Sequence, residues 1–280
     1  VVGFAALPLD AAPRGSLGCD LPGTAILSVT LGAFALTTSQ VATPALTAIL
    51  AGLSIAGFAA FVWVERRATS PLVDLSLLKA PELSRGLSAL VLVTTVVMAT
   101  LVVGPFYLSE VLGLSPMAIG IVMSAGPVTA ALSSRPAGGL IDRHGAGRIA
   151  RIGLLTNLAG SVLMAVLPAA VGLTGYLGSL VLITSGYALF QTANNTAVMQ
   201  AASTERRGLI SALLGLARNL GLISGASGMG AIYGYAHDLF GVQYGKAGLT
   251  ATFAAATLLS ILATTVAWTT ETSGQEAPRS

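Results

Sequence analysis

An all-α integral membrane protein with eight transmembrane helices is the fold this sequence predicts, on three observations. The chain is strongly apolar: 54% of its 280 residues are hydrophobic and the mean hydropathy is +0.82. Its charged residues make up only 9%, where a soluble domain has roughly a quarter, and they leave long uninterrupted runs. When those runs are threaded back and forth across a bilayer, 12 of the 14 Lys and Arg residues fall on one side.

Crossing a bilayer takes about 20 helical residues at 1.5 Å each. No Asp, Glu, Lys or Arg occurs between Asp20 and Glu65, Arg85 and Glu110, Glu110 and Arg135, Arg151 and Glu205, or Lys246 and Glu271. The first and fourth gaps each have room for two crossings, with breaks at TTSQVATP around Pro44 and PAAVGLTG around Pro168. A further stretch, 208–235, is apolar except for Arg218. The predicted helices are therefore 22–39, 45–64, 86–109, 117–139, 149–167, 174–198, 208–234 and 247–269.

Other classes fit poorly. Barrel strands alternate apolar and polar residues over about ten positions, whereas these runs are continuous. A soluble helical core needs a polar face on every surface helix, and there is too little polar sequence to supply one. A single cysteine, Cys19, rules out an internal disulfide. His144 and His237 stand far apart, which argues against a metal centre, and nothing calls for a cofactor. The sequence pI near 9.3 does not indicate nucleic acid as a partner, because the basic residues sit between apolar spans.

Lys and Arg in short loops mark the cytoplasmic side. That side collects Arg14, Arg66, Arg67, Lys79, Arg85, Arg135, Arg143, Arg148, Arg151, Arg206, Arg207 and Arg279, while Lys246 lies outside and Arg218 within a span. Both the segment before residue 22 and the C-terminus are then cytoplasmic, in a multi-pass protein of the plasma membrane. Residues 1–9, VVGFAALPL, read either as a short disordered terminus or, as preferred here, as the end of an earlier transmembrane helix, which makes the chain a fragment. The expected organisation is 1–21, end of a helix and cytoplasmic linker; 22–64, two helices; 65–85, cytoplasmic connector; 86–270, a six-helix unit; and 271–280, cytoplasmic tail.

Charge gathers in GGLIDRHGAGRIAR, residues 138–151. Helices joined so tightly are expected to pack as an antiparallel pair. Gly138 and Gly139 are expected to permit close backbone approach, Gly145 and Gly147 to permit positive φ, and Asp142 to accept from a helix start or a guanidinium. Gly145-x-Gly147-x-x-Ala150 has dinucleotide-fingerprint spacing, but it follows no strand and no acid lies about 20 residues on.

GGLIDRHGAGR resembles the G-x-L-a-D-r-x-G-r-r/k loop of the major facilitator superfamily, through Gly139, Leu140, Asp142, Arg143, Gly145 and Arg148. Ala146-Gly147 is a departure that shifts the basic cluster by one residue. PLVDLSLLKAPELSRG (71–86), PFYLSEVLGLSPMAIG (105–120, with Ser109 where Gln is usual) and QTANNTAVMQAASTERRGLISALLGLARNLGLISGASG (191–228) resemble segments of that family's fourteen-span drug:proton antiporters. The resemblance implies that 22–39 and 45–64 are the central helix pair and that the other six spans are the second six-helix bundle, with the N-terminal six-helix domain missing. It also implies alternating access, proton-coupled export of a small molecule, and a conformational latch at Gly139, Asp142, Arg143, Gly145 and Arg148. The acids proposed for proton coupling in those antiporters lie mainly in the first domain.

Three groups within the spans are candidates for substrate or packing roles. Arg218 lies about 15 Å into its span on helical rise, where a charge costs roughly 2.5–3.5 kcal/mol on insertion scales. It is read either as a cavity residue, held by carbonyls and the Asn219 neighbourhood, or as a side chain snorkelling to the interface. Gln191, Asn194 and Asn195, with Thr192, form a polar group that either hydrogen-bonds between helices or lines a cavity. Gly221, Gly225 and Gly228, with Gly230 and Gly234, favour close helix packing. Gly104-Pro105 and Gly126-Pro127 are expected to kink their helices. Export competes with two alternatives: a metabolite importer or uniporter of the same superfamily, and a membrane-embedded enzyme or non-transporting scaffold. For the enzyme, no clustered acid, histidine or nucleophile set is visible.

Overall fold

The structure, a computed structural model, describes helical positions within 25–36, then residues 44–65, 80–201, 203, 206–240 and 245–268. The described elements are α1 (Pro44–Glu65), α2 (Pro81–Phe106) continued by a π-helical turn (Tyr107–Val111), α3 (Pro116–His144), α4 (Ala146–Val171), α5 (Leu173–Gln200), α6 (Arg207–Phe240) and α7 (Gly245–Trp268). Six of the described helices are long and apolar enough to cross a membrane: Pro81–Val111, Pro116–His144, Ala146–Val171, Leu173–Gln200, Arg207–Ala236 and Lys246–Trp268. They coincide with the last six predicted spans. The predicted second span falls on α1, and the first on the partly described 25–36 segment, where a Cβ at Gly57 would collide with Thr30 Oγ1. The predicted N-terminal helix end, residues 1–9, lies outside the described residues.

Helix ends follow local chemistry. Pro81 and Pro116 occupy first-turn positions, where a missing amide hydrogen is harmless. Ser115 caps α3, its hydroxyl accepting from Ala118 N at 3.4 Å. Gly145 and Gly172, at φ +83° and +62°, end α3 and α4 in conformations that side chains disfavour. Pro105 cannot donate to the preceding turn, and α2 changes to π geometry immediately after it. Helix α3, by contrast, continues through Pro127 and Pro136.

Packing depends on glycine. Helix α4 makes its most extensive contact with α5: a Cβ at Gly153 would stand 2.5 Å from Phe190 N, one at Gly160 2.6 Å from Ile183 N, and one at Gly186 would collide with Asn157 N. Helix α2 packs against α6 in the same way. There a Cβ at Gly221 would lie 2.5 Å from the Val91 carbonyl oxygen, and one at Gly225 2.6 Å from that of Thr95. Such approaches place many backbone atoms in van der Waals contact, the main attraction between helices where no water is available to drive association. Thr95 adds a hydrogen bond across this seam, from Oγ1 to Gly221 O at 3.1 Å.

The charged turn differs from expectation. Helix α3 runs through Asp142 and Arg143 to His144, α4 starts at Ala146, and Gly145 alone separates them. Gly147 is helical rather than a positive-φ turn residue. Gly138 and Gly139 lie inside α3, and a Cβ at either meets nothing within 4 Å. Helix α3 packs chiefly on α5 and only slightly on α4, because α4 has its glycine face turned to α5. Helix α3 buries little of its apolar length within the bundle. Met117, Ile121, Val128 and Leu132 form an exposed stripe at helical spacing along it.

Asn157, wholly buried, joins three helices. Its Nδ2 donates to Ile183 O at 3.2 Å and its Oδ1 accepts from Ser260 Oγ at 3.2 Å, while Ser161 lies 3.4 Å from Ser260. Asn157→Ala is expected to lower stability by about 1 kcal/mol, within the range of interhelical polar contacts in membranes. Ser134→Ala, which removes only an exposed bond to its own helix, is expected to leave the thermal midpoint in detergent unchanged.

Candidate functional site

Arg218 is the eleventh residue after the start of α6, about 16 Å along the helix. Gln191 approaches it from α5, with Tyr187 one turn before Gln191 on the same face. With the Gln191 amide oxygen directed at the guanidinium, it accepts from Arg218 Nε at 2.9 Å and Nη2 at 3.0 Å, and from the Tyr187 hydroxyl at 2.8 Å. The network itself fixes that amide orientation, since the opposite one would set donors against donors. Tyr187 is also within hydrogen-bonding reach of Thr94 on α2, whose own hydroxyl donates to Leu90 O at 2.6 Å.

Three helices thus converge on one cation. Gln191 and Tyr187 are neutral, and no acid pairs with Arg218 among the described residues. A guanidinium carries five N–H donors in a planar fork, and the Gln191 oxygen takes two of them. The side chain is half-buried. What the arrangement offers is an oriented positive charge with donors to spare, suited to a carboxylate, phosphate or sulfonate group.

The remaining predicted residues separate. Asn219, next in sequence, is exposed and makes no part of the network. Asn194 is buried and donates from Nδ2 to Gly86 O at 3.3 Å, joining α5 to the start of α2. Asn195 has a buried Oδ1 without a hydrogen-bond partner. A Cβ at Gly228 meets nothing within 4 Å, unlike Gly221 and Gly225, so Gly228 is not a close-packing position in this bundle. In the charged turn, Gly139, Asp142, Arg143, Gly145 and Arg148 are all exposed, and no ion pair links Asp142 to either arginine among the described residues. Gly145 N donates to Ile141 O at 2.8 Å, which closes the helix end.

Sequence reasoning missed Tyr187 and Thr94. Tyr187 had a legible signal, since it precedes Gln191 by four residues and shares its face. Thr94 comes from a distant segment and had none. At the other end of the bundle, Tyr233 donates to Glu110 Oε2 at 3.2 Å and stacks on Phe106, with ring centroids 5.8 Å apart. Tyr107 donates to Pro168 O at 2.9 Å, tying the π-helical turn to α4.

Six described spans packed through glycine, with a charge held among them, define a multi-pass helical membrane protein. The sequence pattern of the Major Facilitator Superfamily matches residues 22–226, and the chain belongs to that family of transporters. It is 30% identical over 250 residues to the uncharacterized transporter YebQ of Escherichia coli strain K12, covering 88% of this chain and 53% of YebQ. It is 28% identical over 186 residues to the multidrug resistance protein Stp of Mycobacterium tuberculosis, covering 66% of this chain and 34% of Stp. It is also 32% identical over 123 residues to the riboflavin transporter RibZ of Clostridioides difficile, covering 44% of this chain and 27% of RibZ. The chain spans about half the length of YebQ and less of the others. Among solved structures, the nucleoside transporter NupG (D323A mutant) superposes with a TM-score of 0.59 at 17% identity, covering 88% of this chain and 63% of NupG. That likeness establishes the fold alone.

Proposed function

We propose that this chain is the C-terminal portion of a proton-coupled exporter of small amphipathic compounds, drugs or secondary metabolites, working by alternating access in the plasma membrane. The observation that carries the proposal is Arg218. A guanidinium held at membrane depth by neutral groups, with donors unused, is a place for the anionic part of a substrate. The resistance function in the name of Stp supports export. Riboflavin transport in the name of RibZ supports a second reading, movement of a metabolite by the same machinery.

In this reading the basic ends of the helices face the cytoplasm, the C-terminus included. A first six-helix domain covers the exposed apolar stripe of α3 and supplies the other wall of the cavity. Asp142, Arg143 and Arg148 meet that domain in one state and release it in the other, which is how a charged turn biases a two-state equilibrium. Protons are carried by acids of the first domain, since no acid lies mid-span in α2 to α7.

The test is accumulation of a fluorescent substrate panel in cells expressing the full-length protein. At least one compound is expected to be excluded, and a proton ionophore is expected to abolish the exclusion. Exclusion that persists with the ionophore rules out proton coupling, and faster uptake with expression favours the importer reading.

A further inference from the structure

At the basic end of the bundle, away from Arg218, a cavity of about 910 Å³ opens between the ends of α2, α4, α5, α6 and α7. Among the described residues that line it are three arginines, Arg85, Arg151 and Arg206, and one acid, Glu82. Arg85 is half-buried and Arg206 exposed, and neither guanidinium makes a hydrogen bond or ion pair among the described residues. Arg151 donates from Nε to Gly147 O at 3.4 Å. The wall below is apolar, with Leu83, Phe190 and Ile210 all buried.

Arg85, a half-buried residue with no partner among the described residues, has donors available to an anion in the cavity. The guanidinium fork matches phosphate oxygens, two parallel bonds at a time. The described lining residues carry more basic than acidic side chains, which suits a phosphate. A purely aqueous anion has no use for the apolar wall, whereas the glycerol and first methylenes of a phospholipid do.

We propose that this cavity is a binding site for a phosphate group, held by Arg85 and Arg206, and that its occupant is the headgroup of an anionic phospholipid. The shared chemistry also admits a free phosphate, and the test separates the two. Binding is read in detergent, independently of membrane orientation and of transport, so it fails or succeeds separately from the exporter reading.

The purified full chain is titrated with short-chain phosphatidylglycerol, with phosphatidylcholine of the same length, and with inorganic phosphate, following affinity and thermal midpoint. Phosphatidylglycerol is expected to bind and stabilise, and phosphatidylcholine is not. The R85Q/R206Q variant is expected to bind phosphatidylglycerol about tenfold more weakly. R135Q removes one exposed charge at the same end of the bundle but outside the cavity, and is expected to stay within about twofold of wild type. If the double variant does not fold, R206Q alone, at an exposed helix start, is expected to weaken binding severalfold. Inorganic phosphate that stabilises equally and displaces the lipid assigns the site to a free anion and keeps the phosphate chemistry. Unchanged affinity in R85Q/R206Q, or equal loss in R135Q, overturns the site.

Discussion

Replacing Arg218 by alanine in the full-length protein is expected to reduce transport by about ten- to a hundredfold. That range is the rate equivalent of losing charge-assisted hydrogen bonds worth about 1.5–3 kcal/mol. Protein level and thermal midpoint are expected to change little, because the side chain is half-buried and its partners, Gln191 and Tyr187, keep one another. Arg218→Lys is expected to recover only a small part of the loss. An ammonium has the charge, but it lacks the fork that places Nε and Nη2 together on one amide oxygen. Tyr187→Phe removes one contact to that oxygen and is expected to lower transport severalfold. Transport rates at equal expression check all three, and wild-type transport in Arg218→Ala would remove this residue from the site.

Gly186→Ala is expected to destabilise the bundle by about 1–3 kcal/mol, the range for overpacking a close-packed interior. A methyl group there collides with backbone, Asn157 N and the Gly153 carbonyl oxygen, the latter at 2.7 Å. Backbone cannot rotate aside as a flexible side chain does, so α4 and α5 must separate along the most extensive contact among the described helices. Gly221→Ala is expected to do the same between α2 and α6, where the obstruction is the Val91 carbonyl. Gly120→Ala points into open space and replaces a poor helix former with the best one, so its midpoint is expected to stay or rise. Thermal unfolding in detergent distinguishes the three. Equal effects at Gly120 and Gly186 would show that glycine serves helix flexibility here rather than packing.

The spans were legible because charge is expensive in lipid. Every long gap between ionised residues from Arg85 onward became a helix, and the Pro168 break fell at Gly172, where α4 ends. The helix ends were less so. The glycine-rich turn looked like a loop, yet α3 and α4 run almost into each other, because a single positive-φ residue is enough to reverse direction. Which glycines pack was not legible from spacing alone: Gly221 and Gly225 meet α2, while Gly228, on the same pattern, faces nothing. Spacing along one helix carries no information about where the partner helix ends its contact.

The polar site divides in the same manner. Arg218 was readable as a charge out of place, and Gln191 as part of a polar cluster. That these two meet, and that Asn194 instead secures the start of α2, depends on how α5, α6 and α2 pack, a tertiary fact. Asn157 was passed over because one asparagine in an apolar run has no sequence partner. Ser260 lies about a hundred residues away.

In the proposed function, Arg218 binds the anionic part of the substrate. This is tested most directly by equilibrium binding of a transported carboxylate and its methyl ester to the purified full-length protein, wild type against Arg218→Gln. The variant is expected to lose about tenfold or more in affinity for the acid and none for the ester. Equal affinity of wild type and variant for the acid would contradict it.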